Sequence, residues 1–212
     1  MKRTGRAAPA KNHRRTKESR VVPQLRMIFD AEKTPLPEPV AAAGFRLRTI
    51  ADSELANYNE LRVSAGFKAW DAEKLREFRT KVLPDGMFLI EECATGRFAA
   101  SATAETADFE GYPEVGALGW VMAHPDFRGR HLGRAASVAA MRHLYEAGYR
   151  AFSLLTDDFR TAAVGMYLKL GWRPWLYLDE MEGRWRALAE KFGLDFDSLG
   201  CLPERCAFPP RV

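Results

Sequence analysis

The sequence has few cysteines and no long apolar run. Its three cysteines, Cys93, Cys201 and Cys206, are too few and too scattered for a disulfide framework or a four-ligand zinc site. No apolar stretch approaches the roughly 18–20 residues that cross a bilayer, and the first residues lack the apolar core of a secretory signal. With 47% hydrophobic residues among 212, the composition predicts a globular protein with one well-buried core, and the cytoplasm is its expected location.

Positive charge is concentrated at the N-terminus. Residues 1–20 contain eight lysines and arginines against a single acid, Glu18, so the net +4 of the chain divides into +7 for this segment and −3 for the remainder. Such a composition cannot bury apolar surface, and residues 1–24 are therefore predicted to be a disordered tail. Nucleic-acid binding through residues 1–20 is the functional alternative to a solvated leader, and the leader is favoured.

The region after the tail is predicted to be an extended arm, residues 25–44, because Pro35, Pro37 and Pro39 disfavour regular structure. Within it, the apolar run Leu25–Phe29 is expected to pair as an edge strand. The main domain is expected to span residues 45–180. Residues 181–212 should then form a C-terminal helix and an irregular extension.

Hydrophobic periodicity predicts a mixed α/β order of elements in the main domain. The predicted strands are Phe45–Ile50, Met87–Glu92, Phe98–Thr106, Leu118–Ala123, Phe152–Thr156 and Trp172–Leu178. The predicted helices run from Asp52 or Ser53, as N-cap, to about Val63, and then over Asp71–Val82, Leu132–Ala147, Thr161–Leu170 and Glu182–Phe192. Strands followed by a strand–helix–strand–helix–strand order indicate a mixed sheet flanked by helices.

The stretch from Gly119 to Ala135 is the most informative part of the chain. It has the pattern of a buried strand, a turn rich in Arg and Gly, and the start of a long helix. Unpaired backbone N–H groups and the positive end of the helix dipole would make this turn a site for a phosphate or diphosphate. Arg128 and Arg130 add charge-assisted donors, each hydrogen bond worth roughly 1.5–3 kcal/mol. The turn is neither a Walker loop nor a dinucleotide fingerprint.

Three motifs resemble those of the GNAT N-acetyltransferase superfamily. Arg128-Gly129-Arg130-His131-Leu132-Gly133 is similar to its diphosphate loop, Arg/Gln-x-x-Gly-x-Gly/Ala, with His131 in place of the central Gly. Val121–Pro125 resembles the family's strand that ends in x-Pro, and the segment from Ala163 to Trp172 resembles Ala-x-x-x-Tyr-x-x-x-Gly-Phe. The resemblance covers about Phe45 to Leu178 and implies a central mixed sheet with splayed strands.

The resemblance also implies that acetyl-CoA is the cosubstrate. The backbone of Val121 and Ala123 would pair with the pantetheine arm, and the turn would hold the diphosphate. The residues implied to bind acetyl-CoA are Val121, Met122, Ala123, Arg128, Gly129, Arg130, His131, Leu132, Gly133, Arg134, Ala135 and Arg160. The His131 imidazole would either crowd the phosphate or donate to it. Arg160 replaces a family Asn, so either a pantetheine contact is lost or an arginine reaches the CoA 3′-phosphate.

Acetylation of an amine requires a base and an acid. A lysine-like amine has a pKa of ~10.4, so it must lose a proton before it attacks. Tyr167 stands at the family's acid position and would protonate the leaving thiolate. The family's Glu corresponds to Ala117 here, so the base is open between Glu114 and Glu105, while Asp157 and Asp158 look more like helix caps. Cys93 has no His nearby in the sequence, and direct attack is therefore simpler than an acyl-enzyme.

Two functions remain open at this stage. The first is an acetyl-CoA-dependent N-acetyltransferase acting on a primary amine. The second is a non-catalytic acyl-CoA-binding or sensor domain with a nucleic-acid-binding arm, which the departures at Ala117, His131 and Arg160 motivate. The aromatic group formed by Trp172, Trp175 and Tyr177 either lines an acceptor pocket or packs within the sheet, and packing is favoured. A homodimer is an alternative to a monomer.

Overall fold

The computed structural model describes residues 22–106 and 115–203. One proposed base, Glu114, and the predicted turn at 109–113 lie outside the described residues. Within the described ranges, no helix combines the length and apolar character needed to cross a membrane.

The described residues form a seven-stranded sheet with five α-helices. The strands are β1 Leu25–Asp30, β2 Phe45–Thr49, β3 Val82–Glu92, β4 Phe98–Thr106, β5 Val115–Ala123, β6 Ala151–Thr156 and β7 Arg173–Trp175. The helices are α1 Leu55–Ser64, α2 Ala72–Lys81, α3 Leu132–Glu146, α4 Thr161–Lys169 and α5 Glu180–Phe192. The predicted mixed α/β class is confirmed.

The sheet separates two apolar clusters. Its strand order is β2-β3-β4-β5-β6-β1-β7, and every neighbouring pair is antiparallel except the parallel pair β5–β6. On one face, α3 packs across β3, β4 and β5 through its buried alanines and Leu144. On the other face, α1 and α2 enclose a smaller cluster that includes Tyr58, Phe78 and Met122. This second face holds the side chains of greatest chemical interest.

Strand β5 has two irregular features. Its parallel pairing with β6 ends at Ala117↔Ser153, although both strands continue. Its register with β4 shifts by one residue between Ser101↔Met122 and Thr103↔Gly119, and Trp120 in the shifted segment has φ +43°. A positive φ is a genuine outlier for so bulky a residue, and such bulges re-aim side chains beside functional sites. The open edge and the bulge lie in the same half of the strand.

Strand β1 lies inside the sheet, between β6 and β7, so the prediction of an edge strand is wrong. Met27 is opposite Leu154 on one side and Pro174 on the other. Leu25, Met27 and Phe29 are fully buried and Ile28 nearly so, which is the burial of a strand covered on both faces. The apolar run was recognised correctly, but its partners are more than 120 residues away in the sequence.

Strand β7 is much shorter than the predicted Trp172–Leu178. Pro174 has no N–H group to extend the ladder. After Trp175 the chain leaves β1 and continues beside Leu202, whose backbone exchanges hydrogen bonds with Leu176 and Pro174. The aromatic residues here are packed against the sheet, with Trp172 and Trp175 buried.

The predicted helix caps at Asp157 or Asp158 are also wrong. Arg160 is the N-cap residue of α4 and no side chain caps this helix. Asp157 instead pairs with Arg160, at 2.9 Å between Oδ2 and Nε, and Asp158 pairs with Arg184, at 2.5 Å between Oδ2 and Nη2. Both carboxylates are occupied by arginines that fix the connection between β6 and α4.

The predicted caps of the first helix are wrong too, because Glu54 precedes α1 and neither Asp52 nor Ser53 caps it. Asp71 does cap α2, through a 2.8 Å hydrogen bond from the Lys74 N–H.

We expect Phe29→Ala to lower the free energy of unfolding by about 3–5 kcal/mol. Phe29 is fully buried, and its ring contacts Phe152 and Trp172 with centroids 5.6 Å away in each case. Urea unfolding measures the loss, with Val22→Ala as control because Val22 is 66% exposed on the same segment. Equal effects of the two substitutions would contradict an interior position for β1.

Candidate active site

The turn between β5 and α3 has the geometry of an anion site. A single 3-10 turn, Pro125–Phe127, anchors it by burying Phe127, and the chain from Arg128 to His131 is exposed. The first helical hydrogen bond of α3 runs from the Ala135 N–H to the His131 carbonyl, at 3.1 Å. The three preceding N–H groups, from Leu132 to Arg134, therefore have no acceptor within the helix. These donors and the helix dipole suit a diphosphate.

His131 adopts the left-handed conformation as the N-cap residue of α3. Its φ is +58° and its ψ is +17°, and its side chain makes no capping hydrogen bond. Glycine would adopt this conformation without steric penalty, whereas a side chain costs roughly 1–2 kcal/mol. The backbone thus explains why glycine suits this position, and the His131 side chain is exposed.

The two loop arginines are available to a ligand. Neither Arg128 nor Arg130 forms an ion pair with any carboxylate of the described residues, and both are exposed. The Arg130 guanidinium lies 5.6 Å from the centre of the Phe45 ring. Exposed guanidinium groups without ion-pair partners, close in sequence to free N–H donors, suit a doubly charged phosphate group.

The second half of β5 leads directly into this turn. Beyond Ala117 its outer edge has no strand partner in the described sheet. The Met122 side chain is buried under α1 and α2, so only its backbone can meet a ligand. Gly133 faces Val121, where an added Cβ would lie 3.9 Å from Cγ1. An extended ligand could therefore pair along this edge and continue to the helix N-terminus.

Glu105 is a carboxylate directly across the ladder from Ala117. The two residues are paired in the β4–β5 register, so they share one face of the sheet. The Glu105 carboxylate lies over Gly119, where an added Cβ would be only 1.9 Å from Oε1. Thr103 donates a hydrogen bond to the same carboxylate. Burial raises the pKa of Glu105 above its usual range, opposed by the Thr103 hydrogen bond and by Lys81.

Tyr167 lies on α4 within the main apolar cluster. Its ring centre is 6.1 Å from that of Trp172, and no hydrogen bond to the hydroxyl is found within the described residues. Burial raises the pKa of Tyr167 above its usual range, so the phenol stays protonated at neutral pH. The position is compatible with both an acid role and a packing role.

Five residues that sequence reasoning missed form a cluster beside Glu105, on the face of α1 and α2. They are Tyr58, Arg62, Phe67, Trp70 and Trp120. The Arg62 guanidinium lies 3.3 Å from the Trp70 ring centre and 4.2 Å from that of Trp120. The available signal was the i, i+4 spacing of Tyr58 and Arg62 on the buried side of α1, which places an arginine where an apolar residue is normal.

Arg160 lies at the N-terminal end of α4 and contacts this cluster through Phe67. Its Nε is bonded to Asp157, and its guanidinium lies 4.5 Å from the Phe67 ring centre and 5.2 Å from that of Phe159. The ion pair neutralises most of its charge. A role of Arg160 in binding acetyl-CoA stays a prediction.

The family of the chain follows from comparison with known proteins. Residues 52–172, more than half of the chain, match the model of the Acetyltransferase (GNAT) family. The chain belongs to the GNAT acetyltransferase family. This GNAT protein is 32% identical to the mycothiol acetyltransferase of Thermobispora bispora over 152 residues, which are 67% of the chain and 51% of the relative. The chain is also 32% identical to the mycothiol acetyltransferase of Nocardia farcinica over 152 residues, which are 66% of the chain and 48% of the relative.

The chain thus spans about half the length of these curated relatives. Solved structures agree on the fold. The GCN5-related N-acetyltransferase from Sphaerobacter thermophilus has a TM-score of 0.58 at 20% identity, over 72% of the GNAT chain and 49% of its own. A tandem GNAT protein from the clavulanic acid biosynthesis pathway has a TM-score of 0.58 at 19% identity, and the match covers 72% of this chain and 50% of that protein. The predicted family and fold are confirmed, and acetyl-CoA is the acetyl donor of the family. The acyltransferase activity of this chain and the individual site residues stay predictions.

We expect His131→Gly to stabilise the fold by about 0.5–1 kcal/mol, because glycine relieves the left-handed strain at a small entropic cost. Acetyl-CoA affinity should be equal or higher, whereas Arg128→Ala should weaken it about 10-fold or more. Thermal unfolding and titration calorimetry measure the two effects.

Gly129→Ala is the matched control for this loop. Gly129 has φ +78° and no atom within 4 Å of an added Cβ, so alanine should destabilise through backbone conformation alone. Weaker acetyl-CoA binding by His131→Gly would show instead that the imidazole donates to the phosphate.

Proposed function

We propose that this GNAT protein transfers the acetyl group of acetyl-CoA to a primary amine by direct attack. The observation that carries the proposal is the construction of β5. One edge of the strand is open and leads into the anion site, and a half-buried carboxylate, Glu105, lies across its inner face at Gly119. A donor site and a proton acceptor thus meet on one strand. Since the chain spans about half the length of its curated relatives, the acceptor is proposed from its own residues rather than from their name.

Acetyl-CoA would be held by the residues from Val121 to Ala135. The free edge of Val121–Ala123 suits the amide groups of the pantetheine arm, which can pair as an additional strand. The N–H groups at the start of α3, with Arg128 and Arg130, suit the diphosphate. When bound, acetyl-CoA supplies an electrophilic thioester carbon.

Glu105 is proposed as the general base. As the acceptor nitrogen forms its bond to the acetyl carbon and the carbon–sulfur bond breaks, the nitrogen must release one proton, which the carboxylate accepts directly or through water. A raised pKa brings this carboxylate closer to the pKa of a useful base near neutral pH. The resemblance to the family implies a carboxylate on β5, at the position of Ala117. Glu105 lies on β4 directly opposite Ala117 and would take that role.

Tyr167 is proposed as the general acid. Its phenol is protonated at neutral pH, and it would give that proton to the departing sulfur of CoA. The two roles require opposite protonation states. Glu105 must be ionised to accept a proton, and Tyr167 must be neutral to donate one. The raised pKa of Tyr167 supports its assignment as the proton donor.

The alternative function is a non-catalytic acyl-CoA-binding domain whose residues 1–20 bind nucleic acid. Their charge of +7 is its support. This alternative predicts two results that distinguish it from the acetyltransferase. Acetyl-CoA would bind, but no amine would cause release of the CoA thiol. Nucleic acid would bind with an affinity that falls steeply with salt, and this binding would be lost when residues 1–20 are removed. The half-buried carboxylate at Gly119 favours catalysis. A homodimer and a cytoplasmic location stay predictions.

We expect Glu105→Gln to lower kcat about 100-fold or more, because the amide cannot accept the proton. Thiol release at saturating acetyl-CoA and acceptor measures the loss. In the parent protein the rate should rise with pH through a pKa above the usual Glu range, since only the ionised carboxylate is a base. An unchanged rate in the variant would exclude Glu105 as the base.

The same substitution should not destabilise the protein at neutral pH. A raised pKa in the folded state means that folding disfavours the ionised carboxylate, so the parent loses stability as pH rises from about 4.5 through the raised pKa. The Glu105→Gln variant avoids that loss, and its advantage should vanish below about pH 4 in thermal melts. Glu77→Gln, at an exposed position on α2, is the matched control for both measurements.

We expect Tyr167→Phe to lower kcat about 10- to 100-fold while the Kd of acetyl-CoA stays within twofold, because only the proton donor is removed. Thiol release and calorimetry measure the two quantities. A purely structural tyrosine would instead give a change in thermal stability with an unchanged kcat.

A further inference from the structure

Arg62 is a buried cation without a counter-ion in the described residues. The residue is 2% exposed, and its Nε and Nη1 atoms are shielded from water and make no hydrogen bond. Its Nη2 donates to the Lys68 carbonyl, at 3.3 Å, and the neutral Tyr58 hydroxyl interacts with the same guanidinium. Burying a guanidinium group without a carboxylate is expensive, and an arginine keeps its charge in proteins. Stacking on Trp70 and Trp120 offsets part of this cost but satisfies no N–H donor.

The β5 bulge brings Arg62 of α1 and Glu105 of β4 close together, because they lie against two consecutive residues of β5. Gly119 faces α1 and α2, since its Cβ direction meets Glu105 and Thr103. Regular alternation would turn Trp120 to the other face, but the inserted residue keeps it in the cluster with α1 and α2. The carboxylate therefore lies at Gly119 and the guanidinium against Trp120, the next residue.

The charges of Arg62 and Glu105 complement those of an amino acid. We propose, on the basis of the proposed function, that the acceptor is a small zwitterionic amine whose own carboxylate accepts a hydrogen bond from a free N–H group of Arg62 while its amine faces Glu105. A hydrogen bond from a guanidinium to a carboxylate is charge-assisted and roughly twice as strong as a neutral one. One positive and one negative protein group leave the complex neutral, whereas a polycationic acceptor would meet an unneutralised arginine.

The aromatic rings around Arg62 add a preference for an apolar side chain. Phe67 and Trp120 are in edge contact at 5.6 Å, and Trp70 and Trp120 at 4.6 Å between ring centres. Asn59 fixes the Trp70 backbone with hydrogen bonds of 2.8 Å and 2.9 Å. A fixed aromatic wall beside the carboxylate site favours amino acids with aromatic or aliphatic side chains.

The experiment compares acceptors that differ only in the carboxylate. Thiol release is measured with the twenty proteinogenic amino acids, and the best of them is compared with its carboxamide and with its decarboxylated amine. The parent protein should prefer the amino acid by about 10- to 100-fold in kcat/KM. The inference would be overturned if the carboxamide or the decarboxylated amine had a kcat/KM equal to or higher than that of the amino acid. The acetyltransferase proposal would then remain intact. No thiol release from any acceptor would overturn both.

Arg62→Met identifies the residue responsible. It should lower kcat/KM for the amino acid about 10- to 100-fold, leave the decarboxylated amine unaffected, and leave the Kd of acetyl-CoA unchanged. Arg76→Met, at an exposed position on α2, is the matched control and should change neither. An equal loss with all acceptors would assign Arg62 a structural role and overturn the inference. Should Arg62→Met fail to fold, the acceptor preference of the parent protein decides the question by itself.

Discussion

The departure of β5 from regular strand geometry is the constraint on which the site depends. The strand must pair with β4 along its length to hold the sheet together, yet it must stop pairing with β6 after Ala117 to leave an open edge. The one-residue bulge at Trp120 accommodates both requirements, because it adds local twist without breaking the β4 ladder. The strain of a tryptophan at φ +43° is tolerated because its ring is held by Trp70 and Phe67.

Features encoded by neighbouring residues could be predicted from the sequence. The anion turn and most helix and strand bounds rest on local patterns of glycine, arginine and apolar spacing, and the structure places them within a few residues of expectation. Gly119 shows the limit of such patterns. It looks like an ordinary strand glycine, and only the packed structure shows that the Glu105 carboxylate occupies the space of a side chain there.

Features that depend on distant partners could not be predicted. The sequence indicates that Leu25–Phe29 is apolar, but no local signal says that the run inserts between strands that begin at residues 151 and 173. Arg62 is similar, because a single sequence cannot show that a helical arginine is enclosed by three aromatic rings, two from the connection between α1 and α2 and one from β5. The identity of the general base could not be decided from the sequence for the same reason. The pairing of Glu105 with Ala117 is a property of register between strands.

The interior position of β1 has a consequence for synthesis of the chain. A ribosome releases β1 first, but the strands on either side of it are completed only after residue 156 and residue 175 have emerged. Until then an apolar segment with unpaired N–H and C=O groups on both edges has no native partner, which is the condition that favours association with other chains. Its closing contacts span most of the sequence and carry a large loop-closure entropy, so insertion of β1 should be among the last and slowest events of folding. The strand that completes the sheet is therefore also one that stays without its native partners while residues 31–150 are synthesised.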